Sequence, residues 1–287
     1  MDRKILLEKD IYNNIKIKEL INNILKNIEV NKNILQEAIK RDTENGNAIE
    51  LNKIKDIVKK YTNYKEILTA EDIKSQRVDG IGNIAVVYSG TPDIMVDMAI
   101  KAIITNNNIV FFPNLAWATT ECMTTIFNES MKSIKYKVCI ANEEIEELYK
   151  NQELFDVAVF IGDKYEYYKF KQKFKKDIIY NSYGSIQIYS DNDYFENILK
   201  QIDEYVYNNN LVSFYYENEN IEEAIKKINE IAITDTVAIF TKNSKKAIEL
   251  IKNVKANKIF VNTYPFENYE FEFDEKKLLI KKQIITE

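Results

Sequence analysis

The chain has 287 residues, 45% of them hydrophobic and 30% charged, with a formal net charge of −5. That is enough for one large or two modest domains whose core needs no staples, and no apolar run approaches the roughly 20 residues of a membrane span. Histidine is absent and cysteine occurs twice, which excludes Ser-His-Asp and Cys-His chemistry, His-ligated zinc and a disulfide framework, while the acidic balance argues against a nucleic-acid partner.

The N-terminus has no long apolar stretch and no small-residue cleavage site, so cytoplasm is the expected compartment. Residues 1–76 are expected to be helical. Leu20, Ile21, Ile24, Leu25 and Ile28 fall on one helical stripe. Ile34, Leu35, Ala38 and Ile39 make a second, stopped by Asn45-Gly46-Asn47, and Leu51, Ile54, Ile57, Val58 and Tyr61 a third.

From Ile81 the pattern changes to short apolar runs alternating with amphipathic helices. Strands are expected at 84–88, 109–112, 136–140 and 156–162, and helices around 95–103 and 119–131. Asn142 stands as the N-cap of a further helix, with Glu143 and Glu144 in its first turn. Strands apolar on both faces in β-α-β-α order predict a parallel sheet covered by helices. Further along, 178–183 and 185–190 read as strands and 194–207 as a helix. Strands at 211–216, 236–241 and 258–262 then alternate with helices at 221–231 and 244–254. Residues 269–273 and 278–285 alternate like exposed antiparallel strands.

Open parallel sheets bind ligands at the carboxyl ends of their strands. The candidates there are Ser89, Gly90 and Thr91 after one strand, Pro113 and Asn114 after the next, and Gly162 with Asp163 after another. Gly162 would allow a close backbone approach, but a lone glycine falls far short of a dinucleotide fingerprint. Cys122, in a helix, and Cys139, in a strand, read as buried small hydrophobes. Tyr165, Tyr167, Tyr168, Phe170 and Phe174 interleave with six lysines between Lys164 and Lys176. One packed aromatic face and one solvated lysine face account for that more simply than a stacking platform for single strands. No metal-ligand spacing occurs.

Three stretches carry a resemblance. From Gly80 to Pro113, a strand ends in Tyr88, a Thr91-Pro92-Asp93 turn leads into a helix with Asp97, Ala99 and Ala102, and an Asn turn leads to the next strand. Val157 to Gly162 is a strand closed by glycine. From Asp235 to Asn262, a strand ending in Phe240-Thr241 precedes a helix and a strand ending in Val261-Asn262. Together they resemble the aldehyde dehydrogenase superfamily, and gamma-glutamyl phosphate reductase most of all. The resemblance implies an α/β fold. It would comprise an N-terminal helical region (1–76), a doubly wound Rossmann-type cofactor domain (77–208), a truncated catalytic-type lobe (209–265) and a C-terminal β tail (266–287). It implies NAD or NADP as cofactor at Ser89, Gly90, Thr91, Pro113, Asn114, Gly162 and Asp163. It further implies a homodimer or higher oligomer through the tail, and leaves room for an active relative as partner; neither membrane nor nucleic acid is expected.

The departures bear on activity. The family's thiol nucleophile maps near 207–213, where Ser213 is the nearest oxygen nucleophile and a weak one. The activating glutamate maps to Asn181-Ser182-Tyr183-Gly184, the oxyanion amide to Asp93, and the ribose-contacting lysine to Phe112 or Asn114. The expectation is a catalytically degenerate protein kept for nucleotide binding or assembly. The alternative is an active NAD(P)-dependent aldehyde or acyl-phosphate oxidoreductase in which Cys122 or Cys139 reaches the site.

Overall fold

In the computed structural model, the described residues are 3–42, 48–63, 76–89, 92–114, 116–133, 138–182, 185–191, 199–204, 212–217, 220–230, 234–265 and 273–283. They form two compact units. One comprises Met1–Val159, Phe174–Ile179 and Phe273–Glu287, the other Phe160–Lys173 and Tyr180–Glu272. No helix among the described residues is long and apolar enough to cross a membrane.

The first unit begins with α1 (Arg3–Val30), α2 (Lys32–Asp42) and α3 (Ala48–Lys60). Leu20, Ile21, Ile24 and Ile28 of α1, Leu35 and Ile39 of α2, and Leu51, Ile54 and Val58 of α3 are buried, so the three predicted stripes are packing faces. Ile34 departs from its stripe and is exposed. It lies one position off the i, i+3, i+4 set of Leu35, Ala38 and Ile39. The predicted stop at Asn45-Gly46-Asn47 lies outside the described residues.

The helices pack on α4 (Pro92–Ile104) and α5 (Trp117–Ser133). These two connect β2 (Asn83–Tyr88), β3 (Asn108–Pro113) and β4 (Ile140–Asn142). α6 (Ile145–Lys150) leads to β5 (Val157–Gly162), and α7 (Lys164–Lys173) to β6 (Ile178–Ser182). The sheet order is β4-β3-β2-β5-β6, which is 3-2-1-4-5 when its strands are numbered in chain order. This is a doubly wound sheet whose order reverses at β2. β2 pairs with β3, and β3 with β4, in parallel. β2 and β5 start side by side, with Asp156 N–H donating to Asn83 O at 2.8 Å. Both faces of such strands are covered, and every residue of β5 is buried. β5 and β6 begin in the first unit and end in the second.

Two boundaries differ from expectation. β4 starts at Ile140, so Cys139 precedes the strand and is exposed rather than buried within it. The Asn108 side chain accepts the Cys139 N–H at 2.9 Å and fixes that start. Asn142 closes β4, and Glu144 is the N-cap of α6.

β1 (Gln76–Gly80), polar in sequence and not expected as a strand, pairs antiparallel with β11 (Leu279–Gln283). The β tail thus pairs within its own chain; its other predicted strand, 269–273, lies almost wholly outside the described residues. Two buried links hold this end of the chain to the first sheet's helix. Lys101 Nζ donates to Phe273 O at 2.7 Å, and Asn107 Nδ2 to Leu278 O at 3.0 Å. Gly80 is required where it stands, because a Cβ there would come within 2.5 Å of Thr105 O.

The second unit is built on β7 (Ser185–Ser190), β8 (Val212–Glu217), β9 (Thr234–Phe240) and β10 (Ala256–Val261). A helix described over 199–204 (α8), α9 (Ile221–Glu230) and α10 (Ser244–Asn253) accompany them. The order β10-β9-β7-β8 is all parallel. β7, expected to belong with the preceding strands, is a central strand of this second sheet. Alternate residues feed two cores. Ile186, Ile188, Ala238 and Phe240 meet Ile202 on one face, while Tyr189, Val237 and Ile239 meet Ala224, Ile228 and Leu250 on the other.

Candidate functional site

Each set of candidates is built within its own unit. In the first, the carboxyl ends of β2 and β3 stay in register, Tyr88 opposite Pro113. Asn114 N–H donates to Tyr88 O at 3.0 Å, and its Nδ2 to Ser89 Oγ at 3.0 Å. The structure therefore brings Ser89, Pro113 and Asn114 together as one polar corner; Gly90 and Thr91 lie outside the described residues. Below this corner Tyr88 is fully buried and hydrogen-bonds Thr120 at 2.5 Å. Burial pushes its phenol far up, so it is a neutral donor at any physiological pH. Phe112 is also buried, edge-on to Phe155.

The helices that leave this sheet start on carboxylates. α4 opens with Pro92, which has no N–H to offer, and Asp93, 4% exposed and paired with Lys53 Nζ at 3.0 Å. α5 is capped from a distance: the Asp42 carboxylate, at the end of α2, accepts Ala118 N–H at 3.0 Å and Thr119 N–H at 2.7 Å. No sequence signal marked Asp42, because its partners lie some 76 positions on. Asp93, where the family's oxyanion amide maps, is buried against an ammonium.

In the second unit, Gly162 is the last residue of β5, and its carbonyl accepts the Tyr180 hydroxyl at 3.3 Å. Among the described residues the glycine with positive φ is Gly82, not Gly162, so Gly162 ends a strand and does not make a turn. Asp163 caps α7, its carboxylate accepting Tyr165 N–H at 2.8 Å and Glu166 N–H at 3.1 Å. The spacing of Asp163 and Glu166 is a helix-start signature that was legible in the sequence. Beside this cap, Tyr167 stacks on Tyr180 with ring centroids 4.3 Å apart, and Phe160 packs against both.

The expected packed aromatic face of α7 holds only in part. Phe170 and Phe174 are buried and Tyr167 is packed, but Tyr165 and Tyr168 are 67% and 48% exposed. Their rings lie under the chain's own lysines, Lys169 at 4.1 Å and Lys164 at 5.1 Å.

Ser213 is the second residue of β8, paired opposite Ile186 inside a parallel ladder. Its hydroxyl hydrogen-bonds Tyr215, whose phenol donates to Asp203 at 2.6 Å. Burial and then the Asp203 carboxylate push that phenol up to about 12, so it stays protonated at neutral pH and cannot take the serine's proton. Asn181 lies in β6; Tyr183 and Gly184 lie outside the described residues. Of the thiols, Cys122 is half-buried on α5, and burial followed by the neighbouring Glu121 raises it. Cys139 is exposed, at the amino end of β4. No group of three or more carboxylates and cysteines suited to a metal occurs among the described residues.

Comparison with solved structures places the architecture. A gamma-glutamyl phosphate reductase from Thermotoga maritima is 13% identical over 88% of this chain and 85% of its own, with a TM-score of 0.54. A probable aldehyde dehydrogenase from Listeria monocytogenes EGD-e is 11% identical over 95% and 91%, with a TM-score of 0.63. The fold is the aldehyde dehydrogenase fold. A betaine aldehyde dehydrogenase from Staphylococcus aureus, solved in complex with NAD+, shares it at 11% identity over 95% of this chain and 82% of its own, with a TM-score of 0.58. No protein-family model and no curated protein matches the sequence. Within the aldehyde dehydrogenase fold, the 3-2-1-4-5 sheet has the doubly wound order that the sequence resemblance implied.

Proposed function

We propose that this chain is an aldehyde dehydrogenase-fold protein that has given up the family's chemistry and is kept as a binding or assembly scaffold. The observation that carries the proposal is the setting of Ser213. A serine attacks a carbonyl only when a base removes its proton. Here its partner is a phenol held protonated, itself donating to Asp203. The thiols supply no substitute. Cys139 stands at the amino edge of its sheet, opposite to the edge where parallel sheets bind ligands, and burial raises Cys122 away from the reactive thiolate.

NAD or NADP is the cofactor that the fold implies, and the residues present do not fit it. Where the family's ribose-contacting lysine maps, Phe112 is buried against Phe155 and the Asn114 amide is bonded to Ser89. Neither offers an ammonium. The corner formed by Ser89, Pro113 and Asn114 offers a ligand no charged group. A second copy of the chain, or an active relative, is the partner this proposal favours, and the cytoplasm its compartment.

The test is an assay of NAD(P)-dependent oxidation of short aldehydes, and of reduction of acyl phosphates, by the full-length protein. No turnover above that of a Ser213→Ala variant is expected. Turnover that Ser213→Ala abolishes, or that alkylation of Cys122 abolishes, would overturn the proposal.

A further inference from the structure

We infer that the chain has closed its own diphosphate seat: the Asp163 carboxylate occupies the start of α7 and shuts out the phosphates of a dinucleotide. A helix N-terminus at the carboxyl end of a strand attracts phosphate because its first N–H groups have no partner within the helix and carry the positive end of the dipole. Asp163 takes two of these groups, the N–H of Tyr165 and of Glu166 at 2.8 and 3.1 Å, and Glu166 adds a second negative charge to the same turn. A diphosphate would have to displace a covalently tethered anion and then sit beside it.

α5, which leaves the same sheet, repeats the arrangement. α5 gives its Ala118 and Thr119 N–H groups to Asp42. α4 starts with Pro92 and Asp93, and α6 starts at Glu144 with Glu146 and Glu147 in its first turn. Two helices that could present free N–H groups to a phosphate, α5 and α7, begin on the chain's own carboxylates instead. Acidic caps are ordinary stabilisers of single helices. At α5 and α7 they leave a phosphate no free helix start to bind. The inference deepens the function proposed above, on which it rests, by removing nucleotides from the partners of the scaffold.

Asp163 is the one to test, because it sits on the cap position itself. Full-length wild type, Asp163→Ser and Asp163→Asn are compared by thermal unfolding and titration calorimetry at low salt, with inorganic pyrophosphate and with NADH. Both substitutions keep an oxygen that can cap the helix while removing the charge. Wild type should show no shift with either probe up to millimolar concentration. Both variants should bind pyrophosphate at least about tenfold more tightly than wild type, the gain expected when a like charge at contact distance is removed. Binding of NADH or pyrophosphate by wild type overturns the inference. So does the failure of both variants to bind pyrophosphate while their circular dichroism remains that of wild type; if one variant does not fold, the other decides. Wild type that binds NADH without turning over aldehyde sinks this inference alone, whereas turnover sinks the proposed function as well.

Discussion

Asp97 shows how a single buried charge shapes the first unit. Its carboxylate accepts the Tyr61 hydroxyl at 2.5 Å and pairs with Lys101 Nζ at 2.7 Å, and Lys101 reaches on to Phe273 O. Burial raises the carboxyl above its ordinary value of 3.8, and the lowering by Lys101 and Tyr61 does not fully offset it. A raised folded-state value means that the folded chain binds the proton more tightly than the unfolded chain. The contribution to stability is therefore full below 3.8 and is lost as pH rises through the higher folded value. Asp97→Asn should remove that slope. Because the folded chain favours the neutral carboxyl even beside Lys101, the substitution should not lower stability at neutral pH. Urea unfolding from pH 4 to 7 checks both; a clear drop in the midpoint at pH 7 would show that the Lys101 ion pair outweighs the burial of Asp97.

At the scale of elements, α5 depends on α2 for its start. Asp42→Ala removes the acceptor of two backbone N–H groups, and a lost N-cap costs about 1 kcal/mol. The expected drop in the urea midpoint should be recovered largely by Asp42→Asn, which keeps one oxygen acceptor. The helical stripes and the runs of β2, β3 and β5 could be seen in the sequence because each satisfies its periodicity locally, one face for a helix and both faces for a parallel strand. β1 could not. Gln76-Arg77-Val78-Asp79-Gly80 has no apolar alternation, and it is a strand because β11 lies beside it. β7 was recognised as a strand but not as a member of its sheet. Ser185–Ser190 looks the same whichever neighbours it has, and only pairing with β8 and β9 assigns it.

For the whole molecule, assembly is the consequence of the proposed function that is simplest to measure. The β tail pairs with β1 of its own chain as a two-stranded ribbon. The scaffold proposal expects this ribbon to meet a second copy as well. Sedimentation at micromolar concentration should then give a species of twice the monomer mass. A monomer at that concentration would leave a different protein as the partner.

The sequence by itself determined which side-chain chemistries are excluded and the run of elements. The absence of histidine, the count of two cysteines and the order of apolar runs are properties of the chain that no folding can alter. The tertiary structure decided what each polar candidate faces. Asp163, read from the sequence as a ligand candidate, carries a cap signal in its spacing to Glu166. In contrast, Asp42 on α5, Lys53 on Asp93 and the protonated Tyr215 beside Ser213 became visible only in the fold. The physical reason is range. Helix and strand preferences are settled between residues a few positions apart, whereas the burial and charge partners that decide whether a hydroxyl, a carboxylate or a helix end can meet a ligand come from residues tens of positions away.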